Sequence, residues 1–155
     1  MPGLDDLYKE IILDHYRNPR NRGELDSPPA HRSDGFNPLC GDEVTITFEV
    51  SNNSLSEVRV AGQGCSISQA SASMMSAAVQ GKSLNEVREL TRQFKAMMSI
   101  HEEEIGSESL EHSSKAVFEL GDLEALKGVV KFPVRIKCAT LSWNALLTGL
   151  SELEA

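Results

Sequence analysis

Alternation of apolar and polar positions predicts a β-hairpin in the first half of the chain. Four apolar residues alternate with polar ones: Val44, Ile46, Phe48 and Val50. This period of two is typical of a strand with one buried face. Asn52-Asn53 predicts a turn, and residues 55–61 predict the returning strand. Glycines at 62 and 64 then predict a tight bend that leads into the next element.

Apolar residues at helical spacing predict helices on both sides of this hairpin. Helices are expected over residues 3–17, over 66–80, from Ser83 to Met98, at 123–127 and over 139–153. Asn18-Pro19 should end the first of them, since a residue before proline disfavours helical geometry. Ser83 with Glu86 matches a capping box, in which two side chains satisfy free backbone N–H groups.

Two stretches predict irregular structure. Residues 20–39 are rich in proline and glycine and are expected to form a loop, and residues 101–115 are polar and acidic and predict an exposed insertion. A chain of 155 residues usually forms one domain. We therefore expect residues 1–155 to form a single compact α+β domain, in which a small antiparallel sheet packs against several helices.

Charge and hydropathy exclude two classes of partner. Acidic residues outnumber basic ones by 23 to 15, for a net charge of −8. Nucleic-acid binding usually depends on a basic face, so nucleic acid is not expected as a partner. The sequence contains neither a signal-peptide pattern nor an apolar run of about 18 residues, so no membrane association is expected. We expect a cytoplasmic protein.

Three cysteines provide the candidate chemistry, and each has neighbours that favour a thiolate. Cys40 is followed by Gly41 and Asp42, whereas Cys65 and Cys138 are both predicted to open helices. Free N–H groups and the helix dipole lower a thiol pKa at such positions. Three sulfurs and the Asp42 carboxylate form a complete tetrahedral ligand set for a metal such as zinc. An odd number of cysteines is a poor disulfide framework. The alternative to a metal site is therefore three independent buried cysteines.

Four separated motifs resemble the family of iron–sulfur cluster assembly proteins that includes IscU, SufU and NifU-like N-terminal domains. They are DHYRNP at 14–19, NPLCGD at 37–42, GQGCSIS at 62–68 and RIKCA at 135–139. The resemblance covers nearly the whole chain and implies that Cys40, Asp42, Cys65 and Cys138 converge as metal ligands at one exposed end of the domain.

Three departures indicate the SufU-type branch of this family. Lys137 stands where the scaffold branch has a histidine before its third cysteine, and residues 131–135 differ from that branch's proline-rich chaperone-docking segment. The long segment between Cys65 and Cys138, which includes residues 101–115, is also typical of the SufU type. The resemblance therefore implies a zinc-dependent sulfurtransferase.

In that branch the partner is a PLP-dependent cysteine desulfurase, whose histidine binds the zinc and releases Cys40 to accept persulfide sulfur. The sulfur then passes to downstream cluster assembly proteins. Lys137 and Arg135 are expected to stabilise the anionic site or to contact the partner. One alternative is a scaffold that holds a transient [2Fe–2S] cluster on the same four ligands. A purely structural zinc domain is disfavoured, since the short paired cysteine spacings of such sites are absent.

Overall fold

The structure is a computed structural model, and it describes residues 2–26, 29–38, 41–98 and 121–154. In chain order its elements are α1 (Pro2–Arg17), β1 (His31–Asn37), β2 (Asp42–Ser51), β3 (Ser54–Gln63), α2 (Ser66–Val79), α3 (Leu84–Met98), a 3₁₀ segment (Gly121–Lys131) and α4 (Pro133–Glu154). A small antiparallel sheet with packed helices confirms the predicted α+β class. The predicted insertion at 101–115 lies outside the described residues.

The predicted hairpin is confirmed as β2 and β3, which pair antiparallel from Glu43↔Gln63 to Ser51↔Ser54. Asn52 and Asn53 form its turn, with φ values of 55° and 62°. Two consecutive residues with positive φ match the twist of antiparallel strands, and asparagine tolerates this conformation better than most residues.

The sheet contains a third strand, so the prediction of a loop over residues 20–39 is wrong for β1. β1 pairs with β2 along its whole length, and the described strands lie in the order β1-β2-β3. The inward-facing residues of β1 are Ser33, Gly35 and Asn37, which lack the apolar side chains of a typical strand pattern. A Cβ at Gly35 would lie 3.1 Å from Leu141 Cδ1, because α4 packs closely over this strand. Small inward residues therefore make room for the helix.

Helices α2 and α4 cover the inward face of the sheet. Buried serines of α2 bond to its neighbours: Ser71 Oγ donates to the carbonyl oxygen of Ala139 and accepts a hydrogen bond from Trp143 Nε1. Ser73 Oγ lies 2.8 Å from His15 Nδ1 and holds α1 against the same helix. These bonds satisfy polar groups that would otherwise be costly to bury.

The second correction concerns the last helix, which begins at Pro133 rather than at residue 139. Proline suits the first helical position, where its missing N–H has no partner to lose. Cys138 therefore lies in the second turn of α4 and does not open a helix. The short helix predicted at 123–127 is part of the longer 3₁₀ segment.

The other helices agree with their predictions to within a residue or two at their ends. The capping box is confirmed by reciprocal bonds: the Ser83 N–H donates to Glu86 Oε1 at 3.0 Å, and the Glu86 N–H donates to Ser83 Oγ at 3.1 Å. Within the described part of the chain, no helix has the length and hydropathy needed to cross a bilayer.

Candidate metal centre

Three of the four predicted ligands converge at one end of the sheet. Asp42 begins β2, Cys65 immediately precedes α2, and Cys138 lies in α4; their ligand atoms are all within 4.8 Å of one another. Asp42 and Cys138 are fully buried, and Cys65 is half-buried. Cys40 lies outside the described residues, so its part in the site stays a prediction.

The bend after β3 brings the backbone of Cys65 onto the Asp42 carboxylate. The Cys65 N–H donates to Asp42 Oδ1 at 2.9 Å. Gly64 permits this approach, because a Cβ there would overlap the carboxylate and lie 2.7 Å from Ser68 Oγ. Glycine at position 64 is thus required by the position of the Asp42 carboxylate as well as by the bend of the chain.

Asp42 is held in its ionised form although it is buried. Burial by itself raises the pKa of this carboxyl. Hydrogen bonds from the Cys65 N–H and from the side chains of Cys138, Ser68 and Asn37 outweigh that effect and lower the pKa below its ordinary value. A buried carboxylate that stays charged at neutral pH is suited to bind a cation.

Cys65 is the N-cap residue of α2, as predicted, and its sulfur makes no capping bond to its own helix. Its Sγ lies 4.0 Å from Asp42 Oδ2. The sulfur is therefore directed at the ligand cluster.

Cys138 has a different environment from the predicted one. Because it lies within α4, the expected stabilisation by a helix N-terminus does not apply to it. Its Sγ lies 3.7 Å from Asn37 Nδ2 and 3.8 Å from the carbonyl oxygen of Val134. Asn37 is a site residue that was not predicted; its sequence signal is its place at the start of the NPLCGD motif, which does not by itself indicate these contacts.

Lys137 and Arg135 lie close to Cys138 in sequence, but their side chains are exposed on α4. One step along a helix rotates the side-chain direction by roughly 100°, so Lys137 projects away from the buried Cys138. It borders a shallow groove with Phe36 and Thr140. Their proposed effect on site charge or partner binding stays a prediction.

The donor set fits zinc. Bonds of about 2.0–2.3 Å place tetrahedral ligand atoms roughly 3.5–3.8 Å apart. The observed spread of up to 4.8 Å requires only small side-chain rotations to reach that geometry. Two thiols and one carboxylate leave a fourth position for another ligand. This combination suits zinc better than magnesium or calcium, which prefer oxygen ligands.

Asp42, Cys65 and Cys138 come from distant parts of the chain and meet at one end of the sheet. The chain belongs to the family described as "NifU-like N terminal domain", which matches residues 7–139. The resemblance inferred from the motifs is thereby confirmed.

Individual relatives carry two different names. The chain is 43% identical over 151 residues to the zinc-dependent sulfurtransferase SufU of Bacillus subtilis, covering 97% of this chain and 94% of the relative. It is 41% identical over 149 residues to the iron–sulfur cluster assembly scaffold protein IscU of Streptococcus pyogenes, covering 96% and 86%. A crystal structure of a candidate SUF-system scaffold protein from Fervidobacterium islandicum superposes with a TM-score of 0.72 at 29% identity, covering 91% and 94%.

Proposed function

We propose that this protein takes part in iron–sulfur cluster biogenesis as a zinc-containing acceptor of persulfide sulfur from a cysteine desulfurase. One observation carries the proposal: Asp42, Cys65 and Cys138 converge in a chain that is 43% identical to a zinc-dependent sulfurtransferase. Sulfur accepted here would pass to downstream cluster assembly proteins.

The ligands divide into a fixed group and an acceptor. Asp42, Cys65 and Cys138 are positioned by β2, α2 and α4, and two of the three are fully buried. Cys40 is the proposed fourth ligand and the sulfur acceptor. Bound zinc would keep the thiol of Cys40 deprotonated at neutral pH.

Sulfur transfer is a thiol exchange and needs no added oxidant. The Cys40 thiolate attacks the outer sulfur of the desulfurase persulfide. A sulfur–sulfur bond forms on Cys40 as the one in the desulfurase persulfide breaks, and the electron pair leaves with the desulfurase cysteine as a thiolate. Pyridoxal phosphate chemistry would belong to the desulfurase.

Phe132 and the first turns of α4 that follow it offer a surface for this partner beside the metal site. Phe132 and Val134 are 60% and 53% exposed, and the exposed cations Arg135 and Lys137 follow them. Lys137→Glu should weaken activation of the desulfurase while leaving zinc content unchanged, because position 137 is not a ligand. Lys137→His is the matched variant: it should also retain zinc, and any change should appear in metal exchange or partner activation.

The proposal is tested by comparing desulfurase turnover with the zinc-loaded and metal-free forms of this protein. The zinc-loaded form should accelerate turnover, and mass spectrometry after incubation with desulfurase and cysteine should find the extra sulfur mainly on Cys40. Equal activation by the metal-free form, or persulfide on Cys65 or Cys138 with Cys40 unmodified, would refute the assignment.

The scaffold function is the second candidate, and the 41% identity to a scaffold IscU favours it. A site with one oxygen ligand among sulfurs is also compatible with a cluster that is released easily. Anaerobic incubation with iron and sulfide separates the two functions. A stable [2Fe–2S] centre that this protein hands to an apoprotein supports the scaffold, whereas little stable cluster supports the sulfur acceptor.

A further inference from the structure

Asn37 is a buried polar residue that touches two of the proposed metal ligands. It ends β1 directly opposite Asp42 in the strand register, so the two side chains share the inward face of the sheet. Its Nδ2 lies 3.5 Å from Asp42 Oδ2 and 3.7 Å from Cys138 Sγ. The residue is only 6% exposed, and its backbone oxygen accepts a 2.8 Å hydrogen bond from the Gly41 N–H.

The orientation of the Asn37 amide follows from its neighbours. An ionised carboxylate can only accept hydrogen bonds, and Cys138 would likewise offer only lone pairs once it binds a metal as a thiolate. The amide must therefore turn its NH₂ group towards Asp42 and Cys138, and the two N–H bonds of that group can serve the two acceptors separately.

We propose that Asn37 is a positioning residue of the metal site, whose amide orients Asp42 and Cys138 and thereby sets how tightly the site retains zinc. Groups that hydrogen-bond to metal ligands fix the direction of the ligands and tune their basicity. An N–H bond to a sulfur draws charge from it, and this moderates its donation to the metal. An N–H bond to Oδ2 limits rotation of the carboxylate, so less freedom is lost when the metal binds.

This inference rests on the metal site of the proposed function but not on sulfur transfer. It concerns the affinity of the ligand set for zinc, which is measured without a desulfurase. Its failure is therefore distinguishable from a failure of the sulfur-acceptor assignment.

Three variants at this position separate the hydrogen bonds from packing. Asn37→Ala removes the donors and leaves a cavity, whereas Asn37→Leu removes the donors but keeps the branched shape and leaves no cavity. Asn37→Ser keeps a single hydroxyl donor. The matched control is Ser33→Ala, because Ser33 is also a buried inward residue of β1 and donates a 2.7 Å hydrogen bond to the Ala145 carbonyl oxygen in α4. No contact of Ser33 with the ligand cluster is present among the described residues.

Competition with a chromogenic chelator measures the zinc affinity of each protein. Asn37→Ala and Asn37→Leu should each weaken zinc binding by roughly 10- to 100-fold, with Asn37→Ser between them and the wild type. Ser33→Ala should lower thermal stability and leave zinc affinity unchanged. In the Co²⁺-substituted forms, the sulfur-to-metal charge-transfer bands should shift in Asn37→Leu and stay unchanged in Ser33→Ala.

Wild-type affinity and a wild-type cobalt spectrum in Asn37→Leu would overturn the inference, because the donors would then be irrelevant. Loss of zinc in Asn37→Ala alone would overturn it as well, since the effect would come from the cavity. A wild-type protein that binds no zinc would overturn this inference together with the proposed zinc site.

Discussion

Asp42 and Phe48 lie towards opposite ends of β2 and are equally buried, but they are opposite in chemistry. Asp42 and Phe48 both face inward and are both 0% exposed. Phe48 contacts the His31 ring, with 5.4 Å between centroids, and its end of the sheet is packed so closely that a Cβ at Gly149 would lie 2.8 Å from the Phe48 ring. The Phe48 end is stabilised by removing apolar surface from water. The Asp42 end buries charge, which is favourable only with hydrogen-bond donors or a cation nearby. Burial alone therefore does not distinguish core from site.

Removing a metal ligand should produce the largest change in zinc content and stability, and this change should arise mainly at the Asp42 end of β2. Cys138→Ser should strip the zinc and lower the melting temperature, because the free energy of metal binding adds to the free energy of folding. Cys65→Ser should likewise lose zinc and have a lower melting temperature. Elemental analysis and thermal unfolding check both variants. Stoichiometric zinc retained in both would contradict the ligand set.

The opposite end provides the counterpart. Phe48→Ala should lower the free energy of unfolding by about 3–5 kcal/mol, since it removes a fully buried aromatic ring and leaves a cavity. Zinc content per folded molecule should remain unchanged, because the contacts of Phe48 lie away from Asp42. Urea unfolding gives the stability, and zinc analysis of the folded fraction shows whether the two ends are independent.

Gly64→Ala should damage the Asp42 end by a steric route. The added methyl group would overlap the Asp42 carboxylate and approach Ser68 Oγ, and overpacking of this kind typically costs about 1–3 kcal/mol. We expect weaker zinc binding in a chelator competition assay. Gly128→Ala is the control, because a Cβ at Gly128 meets no atom within 4 Å among the described residues. Equal zinc affinity in the two variants would contradict the close approach at Gly64.

The smallest effect is expected on the outward face of β1, where charge is exposed to water. The pKa of the Asp34 carboxyl is lowered below its ordinary value of 3.8, chiefly by the hydrogen bond from Thr45 Oγ1. A lowered folded-state pKa contributes stability that is present above the unfolded-state pKa and is lost as pH falls through the folded-state pKa.

Asp34→Ala should therefore cost less than about 1 kcal/mol at neutral pH, since solvent screens this exposed group. The difference from wild type should shrink in acid, as pH falls below 3.8 and through the lowered folded-state pKa. Urea unfolding of the two metal-free proteins at both pH values measures it. A difference that persists in acid would show that Asp34 acts through packing rather than charge.

The parts of the fold that sequence analysis predicts correctly are those in which side chains follow a simple period. The inward residues of β2 are apolar and alternate, so the hairpin was predicted, and Cys65 was correctly placed at the start of a helix. The inward positions of β1 are Ser33, Gly35 and Asn37, chosen by contact with α4 and with the site. The contacts with α4 involve residues more than 100 positions away, so a local pattern cannot reveal them.

The metal centre also contains residues that a local motif predicts and a residue that it does not. Motifs with cysteine and aspartate indicated Asp42, Cys65 and Cys138, and the structure brings these three together. Asn37 was missed because its function depends on the register between β1 and β2, which places it opposite Asp42. The predicted start of α4 at residue 139 is too late, because the helix begins at Pro133 and proline is well suited to a first helical turn.

The spread of the ligands along the chain has a consequence for synthesis. Asp42, Cys65 and Cys138 come from three elements, so no nascent chain that ends before residue 138 can offer all three to an ion. A metal that joins them closes long loops and thus acts as a removable cross-link between the sheet and two helices. By the time Cys138 leaves the ribosome, the sheet, α2 and α3 have already been made. Metal binding by all three ligands would therefore be one of the last events in the maturation of this domain, and metal supply would limit the final packing of α4 onto the sheet rather than formation of the hairpin.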